Sequence, residues 1–194
     1  GHNGFLGKNI KSYLSQKNFQ IFGLSRKELD LTSREKVKKT LRKINPDIVI
    51  NAAGRVGGIK ANIYNNAEFL DENYLIQSNL ILNSYELGIK KFINIASSCI
   101  YPTNSIQPIK EDYLLNGKLE KTNEGYALAK IAGLKLCEYL NKQYNFNCIT
   151  LIPCNLYGEE DKFYDEQTKA LWKEKANCKN GDMLLIMCGG AEKT

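Results

Sequence analysis

The sequence predicts an α/β protein whose core is a doubly wound parallel sheet. Short apolar runs alternate along its 194 residues with longer amphipathic runs. Such alternation is typical of βαβ units, in which helices cover both faces of a parallel sheet. A chain of this length can bury a sizeable core, so we expect one main domain.

The apolar runs predict four strands, and the amphipathic runs predict three helices. The strands are expected over residues 19–24, 47–53, 92–96 and 148–153, and the helices over residues 33–44, 62–87 and 124–144. Ser33 is a suitable N-cap for the first of these helices, and Gly88 is a suitable C-cap for the second. The second strand has the pattern of a buried strand that ends in small side chains.

Both ends of the sequence depart from this alternation. Residues 1–7 form a turn that leads into a helix without a strand before it, and the pattern weakens after Phe163. We therefore expect a main domain over residues 1–163. Residues 164–194 would be only the start of a further, substrate-binding region, as in a fragment of a longer protein.

Composition and charge argue against several classes of protein. The net charge is +6, but the lysines are scattered and do not alternate with aromatic residues. This distribution disfavours a nucleic-acid groove and suits a polyanionic ligand such as a dinucleotide or a sugar nucleotide. No run is long and apolar enough to span a membrane. The six cysteines form no Cys-x-x-Cys pair, and only His2 could join them as a metal ligand, so we expect no metal site. We expect the cysteines to be buried free thiols. Free thiols are typical of a reducing compartment, so we expect a cytoplasmic location.

Three glycines near the start have the spacing of a dinucleotide-binding loop. Gly1, Gly4 and Gly7 form Gly-x-x-Gly-x-x-Gly, which permits a tight turn and a close approach of the backbone to a pyrophosphate at a helix start. An ordinary turn is the alternative, because no strand precedes the motif. The small side chains of residues 51–54 would let an adenine or a ribose lie close, or would serve tight strand–helix packing.

Basic residues follow the first predicted strand. Arg26 and Lys27 stand about 20 residues after the glycines, where an acidic residue would bind a ribose 2′-hydroxyl. Arginine and lysine instead suit a 2′-phosphate, so the sequence favours NADP(H) over NAD. A solvated basic loop is the alternative. Glu28 and Asp30 come slightly late for the ribose role.

A serine, a tyrosine and a lysine have the pattern of a carbonyl-reducing site. Tyr126 and Lys130 are four residues apart, so they share one face of the predicted helix, where the ammonium would lower the pKa of the phenol. Such a phenol can donate a proton to a substrate oxygen, which the hydroxyl of Ser97, at a strand end, can hold. The alternative is an exposed helical pair of little energetic value.

These features belong to longer motifs, which together cover most of residues 1–163. The motifs are GHNGFLG at 1–7, AAGRVGGI at 52–59, SSCIYP at 97–102, TNEGYALAKIAG at 122–133 and NLYG at 155–158. With them the chain resembles the extended short-chain dehydrogenase/reductase family and its NAD-dependent epimerase/dehydratase members, most closely the GDP-L-fucose synthase group.

The resemblance implies a Rossmann-type domain that binds NADP(H), acts on a GDP-4-keto-6-deoxy sugar and forms a homodimer through residues 62–87 and 124–144. The enzyme would epimerise C3 and C5 and then reduce C4. Tyr126 would donate the proton, Ser97 would hold the carbonyl oxygen, Lys130 would also bind the nicotinamide ribose, and Cys99 would be the acid/base of epimerisation. The residues implied to contact the cofactor are Gly1, Asn3, Gly4, Phe5, Leu6, Gly7, Arg26, Lys27, Ala52, Ala53, Gly54, Ala96, Tyr126, Lys130, Pro153, Asn155 and Leu156.

One departure from the family pattern bears on epimerisation. The family pairs its cysteine with a histidine beyond the NLYG motif, and this sequence has no histidine there. Ungapped counting places Lys169 at that position, and a gapped alignment places Glu166 there. The sequence therefore leaves open a GDP-sugar reductase with epimerase activity, a C4-reductase only, and a non-catalytic NADP-binding module.

Overall fold

A computed structural model of the chain describes residues 1–17, 19–154 and 156. The expected boundary after residue 163 and the further region over residues 164–194 lie outside the described residues, and both stay predictions. The same holds for three candidate site residues, namely Asn155, Glu166 and Lys169.

Five α-helices and three strands make up the described part of the chain. The helices are α1 (Phe5–Ser15), α2 (Arg34–Ile44), α3 (Ile59–Tyr64), α4 (Asn66–Glu86) and α5 (Glu124–Tyr144). The strands are β1 (Ile48–Asn51), β2 (Lys91–Ile95) and β3 (Cys148–Leu151). Between β2 and α5 lie three 3₁₀ turns, Ser98–Ile100, Glu111–Tyr113 and Lys121–Asn123. None of the described helices is both long enough and apolar enough to cross a membrane.

The three strands form one parallel sheet in the order β1–β2–β3, which confirms the predicted α/β class. Phe92 of the central strand lies opposite Val49 on one side and Cys148 on the other. Because the carboxyl ends of parallel strands meet at one edge of a sheet, the loops that follow β1 and β2 come together there. This edge positions the candidate site.

Residues 19–24 do not form a strand, contrary to the prediction. A strand in a parallel sheet is held by hydrogen bonds to a neighbouring strand, and no described segment pairs with this one. The segment runs beside the N-terminal turn, where a Cβ placed on Gly23 would lie 2.6 Å from the ring of His2. Phe19 and Phe22 are more than half exposed.

The single helix predicted over residues 62–87 is two helices. The break lies at Asn65, whose φ of −134° and ψ of 35° are not helical and whose side chain donates to the carbonyl of Ala61 at 2.8 Å. Asparagine competes in this way with the helical backbone for hydrogen bonds. The end of α4 is as predicted: Gly88 has a φ of 68°, and its amide and the next one bond back to the last turn in a Schellman motif.

The main hydrophobic core lies on one face of the sheet. Helices α4 and α5 pack together there, and α2 packs against α4. The other face of the sheet is less covered by the described residues, and Ile149 and Leu151 there are 43% and 42% exposed. Ile48 is also 42% exposed, and among the described residues β1 pairs only with β2. The burial that the sequence predicts for this strand is reached only at its end, where Asn51 is 1% exposed.

Four buried amide side chains join β1 to β2, α4 to α5, and α4 to the loop after β1. Asn51 of β1 donates to Oδ1 of Asn94 of β2 at 3.2 Å. Gln77 of α4 donates to the carbonyl of Ala129 of α5 at 3.1 Å, and Asn73 forms two hydrogen bonds with the backbone of the loop after β1. Each of the four is at most 1% exposed. We call these four residues the amide network.

Candidate active site

A cleft of about 480 Å³ opens at the carboxyl ends of β1 and β2, beside the first turn of α1. Residues that are far apart in the sequence meet here because both strands and the glycine turn end at the same edge of the sheet. The candidate site residues that line the cleft are Gly1, Gly4, Phe5, Leu6, Gly7, Arg26, Ala52, Ala53, Gly54, Ala96, Ser97, Tyr126, Lys130 and Leu156.

Four candidates in the described residues do not line this cleft, namely Asn3, Lys27, Cys99 and Pro153. Asn3 and Lys27 are exposed. The cleft is also lined by residues that the sequence analysis did not select, among them Asp30, Thr32, Glu72, Ile76 and Cys154.

The glycine turn packs tightly against the end of β1. A Cβ on Gly1 would lie 2.4 Å from the backbone of Ala52, and a Cβ on Gly7 would lie 2.1 Å from the carbonyl oxygen of Gly1. Side chains at these two positions would therefore force the turn to change its shape or to move away from β1. Helix α1 begins immediately after Gly4 without an acidic side chain in its first turn, so its N-terminal amides and partial positive charge are available to an anionic group in the cleft.

Arg26 lies at the mouth of the cleft, held by an acidic partner from α4. Its guanidinium contacts Glu72 at 2.9 Å, although 80% of the Arg26 side chain is exposed. The two acidic residues nearby in the sequence have other partners. Glu28 accepts from the amide and hydroxyl of Ser25 at 2.8 and 2.6 Å, which lowers its pKa. Asp30 accepts twice from Thr32 in an Asx turn, and the Asp-x-Thr spacing is the signal from which sequence analysis could have found this turn.

Lys130 is a buried ammonium at the wall of the cleft. It is 4% exposed, donates to the carbonyl of Ile95 at 2.8 Å and lies 5.6 Å from the centre of the Tyr126 ring. Burial lowers the pKa of Lys130 to about 8, because removal from water disfavours the charged form. The side chain is therefore still largely protonated at neutral pH.

The net shift of the Tyr126 pKa is upward, opposite to the direction that the sequence predicts. Burial raises the pKa of the Tyr126 phenol, and Cys99 raises it further. The ammonium donates to the Ile95 carbonyl at the end of β2, and desolvation of the phenolate decides the direction. At neutral pH the phenol is protonated, which is the form that a proton donor requires.

Ser97 and Cys99 lie at the turn that follows β2. The amide of Cys99 donates to the hydroxyl of Ser97 at 3.5 Å, which makes Ser97 the N-cap of this turn. The amide of Ser98 donates to the carbonyl of Pro153 at 3.0 Å, so the end of β3 holds the turn in place. Burial raises the pKa of Cys99, and its side chain is therefore a thiol at neutral pH, which suits an acid better than a base.

The other cysteines also test the expectation of buried thiols. Cys137 is buried, but Cys148 is half-buried and Cys154 is exposed, so the expectation is wrong for Cys154. These thiols and Cys99 are free of disulfides, while Cys178 and Cys188 lie outside the described residues. Within residues 1–17, 19–154 and 156, no group of three His, Cys, Asp or Glu side chains is arranged to hold a metal ion.

Comparisons with known proteins give consistent results. The model of the NAD dependent epimerase/dehydratase family matches residues 1–193. A GDP-L-fucose synthase from Sinorhizobium fredii is 47% identical over 163 residues, which is 84% of this chain and 52% of the relative. A GDP-L-colitose synthase from Yersinia pseudotuberculosis is 46% identical over 164 residues, which is 84% of this chain and 53% of the relative.

A solved structure extends this similarity to the fold. A GDP-mannoheptose C4 reductase from Campylobacter jejuni with NADP bound superposes with a TM-score of 0.80 at 37% identity, covering 84% of this chain and 52% of the reductase. The chain thus spans about half the length of the relatives that it matches. On the strength of the family match over nearly all its residues, the chain belongs to the NAD dependent epimerase/dehydratase family.

Proposed function

We propose that the protein is an NADP(H)-dependent enzyme that reduces a GDP-4-keto-6-deoxy sugar, as a GDP-L-fucose synthase does. The observation that carries this proposal is the meeting of Ser97, Tyr126 and Lys130 with the glycine turn in one cleft. The names of the relatives support it, because they include two GDP-deoxysugar synthases and a GDP-sugar C4 reductase.

The cleft has the features that a dinucleotide requires. Because Gly1 and Gly7 have no Cβ, the turn can pack directly on β1 and on itself, and the N-terminus of α1, where a pyrophosphate would bind, then faces the cleft. Arg26 at the mouth would hold the 2′-phosphate, and Ala52 and Ala53 would leave room for the adenosine. NADPH, when bound, would supply the hydride for the reduction.

The residues of the chain would handle the carbonyl oxygen and its proton. The hydroxyl of Ser97 would donate a hydrogen bond to the C4 oxygen and orient it. The Tyr126 phenol, which burial keeps protonated, would deliver the proton to that oxygen as negative charge develops there. The Lys130 ammonium, held by the Ile95 carbonyl, would stabilise the phenolate that remains.

Tyr126→Phe tests this assignment, because phenylalanine keeps the ring and removes only the proton donor. We expect C4 reduction to fall by roughly 10²–10⁴-fold while NADPH affinity stays within about twofold of the wild type. Tyr139→Phe is the matched control, since this tyrosine lies on the same helix and is 53% exposed. A Tyr126→Phe enzyme that kept most of the wild-type rate would contradict the proposal. If the wild-type protein bound NADPH but did not reduce the keto sugar, the result would favour the alternative of a non-catalytic NADP-binding module.

A C4-reductase without epimerase activity is the second candidate. The histidine that the family pairs with its cysteine is missing from the sequence, whose single histidine is His2. Cys99 is also poorly suited to act as a base, because burial raises its pKa. The two candidates differ in whether the protons on C3 and C5 of the sugar exchange with solvent.

We further propose a homodimer formed through α4 and α5, located in the cytoplasm. Exposed apolar side chains on these helices support the first point: Leu70, Tyr74 and Leu128 are 38%, 48% and 40% exposed. The free thiols of the described cysteines suit a reducing compartment. Sedimentation of the wild type and of Tyr74→Lys would test the dimer, which the charged side chain should dissociate.

A further inference from the structure

We propose that Arg55 is a second arm of the 2′-phosphate site, acting together with Arg26. A second cavity adjoins the cleft, and the two share Arg26, Gly54, Val56 and Glu72 in their walls. Arg55 lines only this second cavity. The inference rests on the proposed NADP(H)-dependent function. Arg55 belongs to the AAGRVGGI motif, but the sequence analysis does not select it as a cofactor contact, and it does not line the cleft.

One carboxylate joins the two arginines. Oε1 of Glu72 contacts Arg26 at 2.9 Å, and Oε2 of the same side chain contacts Arg55 at 3.3 Å. Glu72 is only 16% exposed, so it is a fixed point on α4. The two guanidinium groups are therefore neighbours although their residues are 29 positions apart in the sequence.

Arg55 is held more firmly than Arg26. Its backbone amide and carbonyl both bond to the side chain of Asn73, at 2.9 and 3.0 Å. Its guanidinium carbon lies 5.0 Å from the centre of the Phe69 ring, which is a cation–π distance. Its side chain is 35% exposed, against 80% for Arg26. Glu72 thus links the more exposed arginine to the more buried one.

The N–H groups of the two arginines favour a phosphate monoester as the ligand. The carboxylates near them are Glu72 and, beside Arg26, Asp30, which accepts twice from Thr32. Arg26 and Arg55 each contact Glu72 through a single terminal nitrogen. The remaining N–H groups of each planar fork are suited to phosphate oxygens. Because the cavity meets the cofactor cleft at Arg26, the phosphate that would reach both arginines is the one on the adenosine ribose.

Two small nucleotides isolate the role of this phosphate. Adenosine 2′,5′-bisphosphate and adenosine 5′-monophosphate differ only by the 2′-phosphate, and their dissociation constants can be measured by calorimetry with the full-length protein. We expect Arg55→Met to raise the dissociation constant of the bisphosphate by about tenfold and to leave that of the monophosphate unchanged. Methionine keeps an apolar stem against Phe69. Arg55→Lys keeps the charge, so its affinity for the bisphosphate should fall by less than about threefold.

The control is Arg42→Met, an exposed arginine on α2, which should bind both nucleotides as the wild type does. The inference is overturned if Arg55→Met and Arg55→Lys bind the bisphosphate as tightly as the wild type. It is also overturned if their affinities for the two nucleotides fall by the same factor. In both cases the proposed function stands. If the wild type itself does not prefer the bisphosphate, the NADP(H) assignment fails first.

Discussion

Lys130 should make the stability of the protein depend on pH in a way that can be worked out from its burial. The pKa of Lys130 is about 8 in the folded protein, against 10.5 for an ordinary lysine. Between these values the unfolded chain binds more protons than the folded one, so the free energy of unfolding rises with pH. The wild type should gain roughly 1 kcal/mol from this side chain between pH 7 and 9, and roughly 2–3 kcal/mol by pH 10.

The assay compares the wild type with Lys130→Met, which keeps the stem and removes the ammonium. Urea unfolding at pH 7, 8, 9 and 10 gives the difference in unfolding free energy at each pH, and groups common to both proteins cancel in that difference. Both proteins should carry Cys99→Ser, because the Cys99 thiol interacts with Lys130.

Lys142→Met is the matched control on the same helix. Lys142 is 67% exposed and paired with Glu138, and this pairing raises its pKa, so its removal should produce no rise in the difference between pH 7 and 10. A difference that stays flat for Lys130→Met as well would refute the reasoning, because it would mean that the folded protein holds Lys130 with an ordinary pKa.

Three further predictions concern the cofactor, the helix contact and the epimerisation. Arg26→Ala should remove the preference for NADPH over NADH, as measured by titration with both cofactors, and an unchanged preference would contradict the assignment. Gly133→Ala should destabilise the fold by about 1–3 kcal/mol, because its Cβ would lie 2.3 Å from Oε1 of Gln77; denaturation should show much of the loss restored by Gln77→Ala. In D₂O without NADPH, the full-length enzyme should exchange C3 and C5 of GDP-4-keto-6-deoxymannose slowly or not at all, and rapid exchange that Cys99→Ser abolishes would refute this.

Features of the fold that depend on local sequence were predicted well. The helix over residues 124–144 and the strands at β2 and β3 follow from periodicity and apolar runs alone. The strand over residues 19–24 was wrong, since a strand requires a partner that periodicity does not supply. The break at Asn65 was missed because one side-chain hydrogen bond decides it within an otherwise helical pattern.

In the candidate site, too, features that depend on local sequence were predicted, and features that depend on contacts between distant residues were not. The spacing of Tyr126 and Lys130 places both on the cleft wall, as four-residue spacing in a helix requires. The direction of the Tyr126 pKa depends instead on burial and on Cys99, which packing sets and spacing in the sequence does not. Glu72 reaches the cleft from α4, and no pattern around it in the sequence indicates that it meets two arginines.

The amide network determines which alternative arrangements of the core are excluded. Apolar contacts are less directional than hydrogen bonds, so a hydrogen bond between two helices adds a specific penalty for a shifted packing. The Gln77 amide nitrogen donates both to the Asn73 carbonyl of its own helix and to the Ala129 carbonyl of α5. If α5 slipped by one turn along α4, the second bond would be lost, and an N–H left unpaired in the interior costs about 1–3 kcal/mol. Lys130 is the next residue after Ala129. The hydrogen bond that disfavours a slipped helix therefore also fixes the position of Lys130 beside the Ile95 carbonyl at the end of β2.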